Sequence, residues 1–138
     1  MAPIDTPDPE LLAAARAAAA RAHAPYSRFH VGAALRSASG RVHAGCNVEN
    51  AAYPLTGCAE RHAIAAGVLA EGADFAIADV LVVALDPAGA LQPAPPCGGC
   101  RQQILEHGRH ARVQFVDGDA RWCAETIATL LPFGFRLD

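Results

Sequence analysis

The run Ala76-Ile77-Ala78-Asp79-Val80-Leu81-Val82-Val83-Ala84-Leu85 decides the fold class. It is apolar almost throughout, broken only by Asp79, and it lacks the polar alternation of a strand with one wet face. Val80, Val82 and Val83 are stiff at χ1 and favour strand over helix. The run is therefore read as a central strand covered on both faces. Covering both faces takes helices on each side, which places the chain in the α/β class.

The flanking sequence supplies those helices and further strands. Ala59 to about Leu69 reads as a helix ended by Glu71-Gly72, with Thr56 as its candidate cap. Before it, Phe29 to Arg36 and Arg41 to Val48 are strand-like and joined by Ser37-Ala38-Ser39-Gly40, hence a hairpin. Asp8-Pro9-Glu10 offers a cap residue, a proline at the first helical position and a first-turn acid. It predicts an alanine-rich helix running to His23 and stopped by Ala24-Pro25. Downstream, residues 86–96 are rich in proline, alanine and glycine and predict a loop. A helix is expected from about Gly98 to His107, then strands at Arg112 to Val116 and Arg121 to Ala124 around Asp117-Gly118-Asp119. Thr126 caps a last short helix that Pro132 stops. The order α, β, β, α, β, α, β, β, α predicts a three-layer α/β/α sandwich with a mixed five-stranded sheet, one domain over residues 1–138.

The composition agrees with a packed globular chain. Of 138 residues, 52% are hydrophobic and 18% charged, enough to bury roughly two-thirds of the unfolded surface. The net charge is −3, and all eleven basic residues are arginines that form no basic run. Nucleic acid is therefore not an expected partner. No apolar stretch approaches the ~20 residues of a membrane span and no cleavable leader pattern opens the chain, so neither a membrane nor export is expected. The expected location is cytoplasmic. Five cysteines, an odd number, suit reduced thiols and metal ligation better than a disulfide framework. Cys46 and Cys123 lack a spaced partner and read as packed residues.

Chemistry concentrates in two stretches. In Thr56-Gly57-Cys58-Ala59-Glu60-Arg61 a soft metal ligand stands two residues before a carboxylate at a helix start. In Pro96-Cys97-Gly98-Gly99-Cys100-Arg101 two cysteines three apart bring both sulfurs to one side of a first helical turn, where amide groups favour thiolates. A C-x-x-C alone also suits a redox pair or half of a structural zinc ribbon. A ribbon needs a second such pair, which is absent, and a redox pair has no use for Cys58 or Glu60. Three thiolates with a free carboxylate are the inventory of a catalytic zinc site with one open position.

That combination is the known signature of zinc-dependent deaminases in its all-cysteine form, and the chain resembles the small homotetrameric cytidine deaminases. Four segments carry the resemblance. They are Pro25-Tyr26-Ser27-Arg28-Phe29-His30-Val31-Gly32-Ala33-Ala34, Gly45-Cys46-Asn47-Val48-Glu49-Asn50-Ala51-Ala52-Tyr53, and the two metal stretches, the second extended to Gln102. The ending Leu130-Leu131-Pro132-Phe133-Gly134-Phe135 is similar to the family's C-terminal signature.

The resemblance implies one Zn2+ per chain on Cys58, Cys97 and Cys100, with Glu60 as the catalytic proton carrier. It implies hydrolytic deamination of cytidine and 2′-deoxycytidine to uridine and 2′-deoxyuridine with release of ammonia, a pyrimidine salvage reaction. Zinc lowers the pKa of coordinated water toward ~7, and one carboxylate can serve every proton transfer because each leaves it ready for the next. Asn47 and Glu49 alternate along a strand end and, by resemblance, clamp the ribose. Phe29, Tyr53, Ala59 and Phe135 are further implied substrate contacts, Tyr53 and Phe135 reaching a neighbouring subunit's site in the tetramer. Three thiolates outweigh a dication by one charge, and Arg61 resembles the family arginine that offsets it. His30 and His62 match no ligand. The alternatives are deamination of a related nucleoside analogue such as blasticidin S, against which Glu49 argues, and a non-catalytic zinc or redox module built on Cys97 and Cys100.

Overall fold

A computed structural model describes residues 2–138. Its centre is the expected strand, β4 (Ile77–Leu85), in which Val80 through Ala84 are all buried. Alternate side chains serve two separate cores. Val80, Val82 and Ala84 pack with Ala59, Ala63 and Ile64 of α2 (Ala59–Glu71) and with Ile104 and Leu105 of α3 (Gly98–His107). Leu81 and Val83 face the other way, onto Leu11, Ala15 and Ala19 of α1 (Pro9–Ala19). The molecule is thus the three-layer α/β/α sandwich expected, with α1 alone on one face.

The sheet is mixed and larger than expected. Its order is β1 (Ala2–Pro3), β7 (Trp122–Thr126), β6 (Arg112–Val116), β4, β2 (His30–Ser37) and β3 (Val42–Cys46), and β5 (Leu91–Gln92) also pairs with β4. Among the described strands of the sheet, β4–β6 is the one parallel pairing. The expectation of five strands is corrected to seven, because β1 and β5 are two residues long and carry no readable pattern. Tertiary pairing creates them. β1 lies against β7, aligning Ala2 with Ala124. β5 forms because Asp86 Oδ1 accepts from the amides of Ala88 and Ala90, both 2.9 Å, and turns the proline-rich loop back onto β4.

α1 begins as its sequence requires. Asp8 accepts from the Leu11 amide at 3.0 Å, and Arg36 of β2 donates to the same carboxylate at 2.8 Å, fixing the helix start to the sheet. The helix ends at Ala19, short of the expected His23. His23 leaves to donate its amide to Asn47 O (3.1 Å) and to accept from Glu49 N (2.8 Å), and this pairing overrides alanine's helix propensity.

Two glycines let helices approach the sheet. A Cβ on Gly32 would lie 1.9 Å from Ala15 O, and one on Gly45 would lie 2.4 Å from Ala63 N and 2.7 Å from Ala59 O. Gly45 therefore fixes how closely the start of α2 seats on β3. The short helix α4 (Ile127–Leu130) is capped by Thr126, as expected, through the Thr129 amide at 3.3 Å.

Candidate functional site

The starts of two helices meet at one end of the sheet. Cys58 is the N-cap residue of α2 and Cys97 that of α3, while Cys100 sits in the first turn of α3. Their three sulfurs lie within 4.8 Å of one another. Tetrahedral Zn–S bonds of about 2.3 Å place sulfurs roughly 3.8 Å apart, a separation within the span of this cluster. The donor set fits one zinc: three soft thiols, with Cys100 buried behind, Cys58 half-buried and Cys97 exposed on the open side.

Two helix N-termini also answer the charge problem of three thiolates. Each presents unsatisfied amides and positive partial charge to the sulfurs. Among the three thiols, the Cys100 thiol donating toward Cys58 pulls the Cys58 thiol down to about 6. The same bond, with burial, pushes Cys100 up. Arg61 is exposed and makes no hydrogen bond to a sulfur among the described residues; its charge favours the Cys58 thiolate through space. Thr56 is not the helix cap. Its hydroxyl accepts from the Asn50 amide at 3.1 Å and steadies the preceding loop.

Glu60, in the first turn of α2, is 6% exposed. Burial raises its carboxyl above the ordinary glutamate value. The Cys100 thiol lies 3.5 Å from its Oε2. Cys58, Ala59, Glu60 and Cys97 line a cleft of about 220 Å³ together with Phe29, Asn47, Val31, Val82 and Pro95. A small, flat, mostly apolar ring carrying a few polar atoms matches such a lining.

The remaining expected contacts divide. Asn47 lines the cleft but uses both ends of its amide on the protein: Oδ1 accepts from Val31 N at 2.9 Å and Nδ2 donates to Phe29 O at 2.8 Å. Glu49 and Tyr53 line an adjoining groove that shares Thr56 with the cleft. Phe135 lies in neither; it is 69% exposed, and Tyr53 is 86% exposed. Gln102 holds Phe135 by its backbone, donating to its carbonyl at 2.7 Å and accepting from its amide at 3.1 Å.

Two residues beside the motifs have supporting roles: Arg101, whose role the sequence reading missed, and His62, which it read as structural. Arg101 donates to Pro96 O (2.8 Å) and Leu130 O (2.9 Å), bracing the approach to Cys97 against α4. His62 Nδ1 lies 2.7 Å from Cys46 O, and its ring covers Gly57 so closely that a Cβ there would lie 2.4 Å from Nε2. Both stand beside motif residues, but the partners Leu130 and Cys46 are distant in sequence and no local pattern names them.

Fold and site together define an α/β/α sandwich with a three-cysteine zinc centre open to a cleft. Residues 5–117 match the family described as the cytidine and deoxycytidylate deaminase zinc-binding region, and the chain belongs to that family. It is 39% identical over 129 residues to a cytidine deaminase of Sporosarcina psychrophila, covering 91% of this chain and 89% of that one. Among solved structures it is similar to a cytidine deaminase from Burkholderia pseudomallei (TM-score 0.78, 40% identity, 94% of this chain and 100% of that one). A cytidine deaminase from Mycobacterium tuberculosis superposes with TM-score 0.74 at 40% identity, over 93% of this chain and 96% of that one.

Proposed function

We propose that the chain is a zinc-dependent hydrolase that converts cytidine and 2′-deoxycytidine, with water, to the uridine forms and ammonia, in pyrimidine salvage. The observation that carries this is the buried Glu60 carboxylate set beside three convergent thiols at the wall of an apolar cleft. Cys58, Cys97 and Cys100 would hold the zinc, which supplies a Lewis acid able to make water a nucleophile near neutral pH. Glu60 would take one proton from the attacking water and pass it to ring nitrogen 3, then take the remaining proton of the added hydroxyl and pass it to the departing amino group. Its burial makes it a stronger base than an exposed glutamate, which suits proton transfer near neutrality. Phe29 and Ala59 confine the base, Phe29 by its ring, while Arg61 and the two helix starts favour thiolate.

The family takes in deoxycytidylate as well as cytidine, so the sugar side decides between nucleoside and nucleotide. Among the described residues no lysine, arginine or histidine lines the cleft or its adjoining groove, and Glu49 adds a carboxylate there. A phosphate carrying about −1.5 to −2 charges near pH 7 would meet repulsion without a counter-charge. Asn47 and Glu49 are accordingly assigned to the sugar of a free nucleoside. Incubation of zinc-loaded protein with cytidine, deoxycytidine and deoxycytidylate tests this. Loss of cytidine absorbance with matching ammonia, and little turnover of deoxycytidylate, is the expected result. Absence of cytidine turnover would overturn the reading.

The whole chain is taken as one domain acting as a homotetramer. Tyr53 and Phe135 stand outside their own chain's cleft, which suits contribution to a neighbour's site, and a solution mass four times that of the chain is the check. No helix is long and apolar enough to cross a membrane. A cytoplasmic enzyme without nucleic-acid or membrane partners is the location and partnership proposed.

A further inference from the structure

The hydroxyl of Ser27 is engaged twice. It donates to Glu49 Oε2 at 2.5 Å and accepts from the Phe29 amide at 3.0 Å. The other Glu49 oxygen, Oε1, accepts from the amides of Tyr26 (2.9 Å) and Ser27 (3.2 Å). A carboxylate has about four acceptor positions, so one remains, and it lies on the oxygen that Ser27 holds. The Phe29 carbonyl is taken by Asn47 Nδ2 at 2.8 Å. Phe29 is thereby gripped on both its backbone polar groups, and its ring, 39% exposed, reaches the cleft. Between Ser27 and Phe29, Arg28 adopts φ of 59°, a left-handed conformation that a non-glycine residue keeps only where its neighbours enforce it.

We propose that Ser27 is a positioning residue that sets Glu49 and Phe29 together, so that one hydroxyl fixes the spacing between the sugar-facing carboxylate and the base-facing ring. The inference rests on the nucleoside reading and goes beyond it by naming a residue outside the cleft as a determinant of substrate affinity. With the hydroxyl present, Glu49 can accept one more donor, which selects a single sugar hydroxyl in a defined direction. Without it, Oε2 is free to turn toward water and the Phe29 amide loses its acceptor. Among the described residues neither Glu60 nor Cys58, Cys97 or Cys100 bonds to Ser27, so the loss falls on binding and leaves the chemical step intact. In keeping with this, the Ser27 hydroxyl is the main influence holding the Glu49 carboxyl below the usual range.

The test compares wild type, Ser27→Ala and Ser27→Thr in steady-state turnover of cytidine and in calorimetric titration with uridine. Ser27→Ala is expected to raise KM and the uridine Kd roughly tenfold, the scale of a hydrogen bond to a charged group, with kcat within twofold and zinc content unchanged. Ser27→Thr, which restores the hydroxyl at an exposed position, should return both to within twofold. On a Glu49→Gln background Ser27→Ala should add less than twofold, because the two act as a unit. Should Ser27→Ala not fold, Ser27→Cys, with its weaker donor, should show a smaller rise in the same direction. An unchanged KM and Kd in active Ser27→Ala overturns the inference while leaving the deaminase reading in place; so does failure of Ser27→Thr to rescue, or full additivity with Glu49→Gln. A wild-type chain that neither turns over cytidine nor binds uridine removes both.

Discussion

The Cys100 Sγ lies 3.5 Å from Glu60 Oε2, so a metal-binding sulfur and the buried carboxylate touch although forty residues separate them in the chain. The thiol cluster and the carboxylate proposed as proton carrier therefore form one unit. Glu60→Gln keeps the shape and the contact but removes the base. Zinc content by metal analysis should stay at one per chain while kcat falls by at least ~10²–10⁴-fold. Retained turnover would contradict the assignment of Glu60.

Stripping the metal exposes the asymmetry of the three thiols. With the Cys58 thiol pulled down to about 6 by its bond from Cys100, and Cys100 itself pushed up, iodoacetamide at pH 7 should label Cys58 before the other two. The rate should reach half its maximum near pH 6, and zinc should protect. Peptide mapping that finds Cys97 labelled first would refute this order.

Gly45 offers a test of how tightly the site depends on layer spacing. Its missing Cβ is what admits the backbone of Ala59 and Ala63. Gly45→Ala should destabilise the fold by about 1–3 kcal/mol, as overpacking does, and should weaken zinc retention because Cys58 and Glu60 ride on the displaced turn. Denaturant titration with metal analysis measures both, and a neutral substitution would show that α2 seats elsewhere.

At the far end of α2, His43 Nε2 and Glu71 Oε2 stand 2.5 Å apart, each side chain 8% exposed. The His43 contact, helped by Ser37 and Ser39, holds the Glu71 carboxyl at about 2 against an ordinary 4.5. A depressed carboxyl stabilises the fold above its unfolded value, and that contribution disappears as pH falls from 4.5 toward 2. The melting temperature of wild type should exceed that of Glu71→Gln near pH 6, and the difference should shrink through this window. A constant difference would show that the pair acts by packing alone.

Much of this was readable from residues. The β4 valines, the Asp8-Pro9 start, the Thr126 cap and the three cysteines all rest on local chemistry, and each stands where the sequence puts it. The errors have a common cause. His23 leaves its alanine helix to pair with Asn47 and Glu49, β1 and β5 exist only because β7 and β4 offer edges, and Thr56 caps a loop while Cys58 opens the helix. In each case a partner distant in the chain outweighs the local preference. Among site residues, Phe29, Asn47 and Ala59 gather with Glu60 in the cleft, while Tyr53 and Phe135 stay outside it. Arg61 favours the Cys58 thiolate through space, as its charge suggests, and the meeting of two helix starts at the sulfurs adds positive partial charge that only the three-dimensional arrangement reveals.

The antiparallel pairing of β4 with β2 and its parallel pairing with β6 have a kinetic consequence. The sulfurs sit on helices that precede and follow β4, so they meet only after those non-local pairings have formed, and such pairings are slow to close. Metal capture should then be a late event in folding, and of the three ligands a nascent chain released before Cys97 emerges would present Cys58 alone, too few to sequester the ion prematurely.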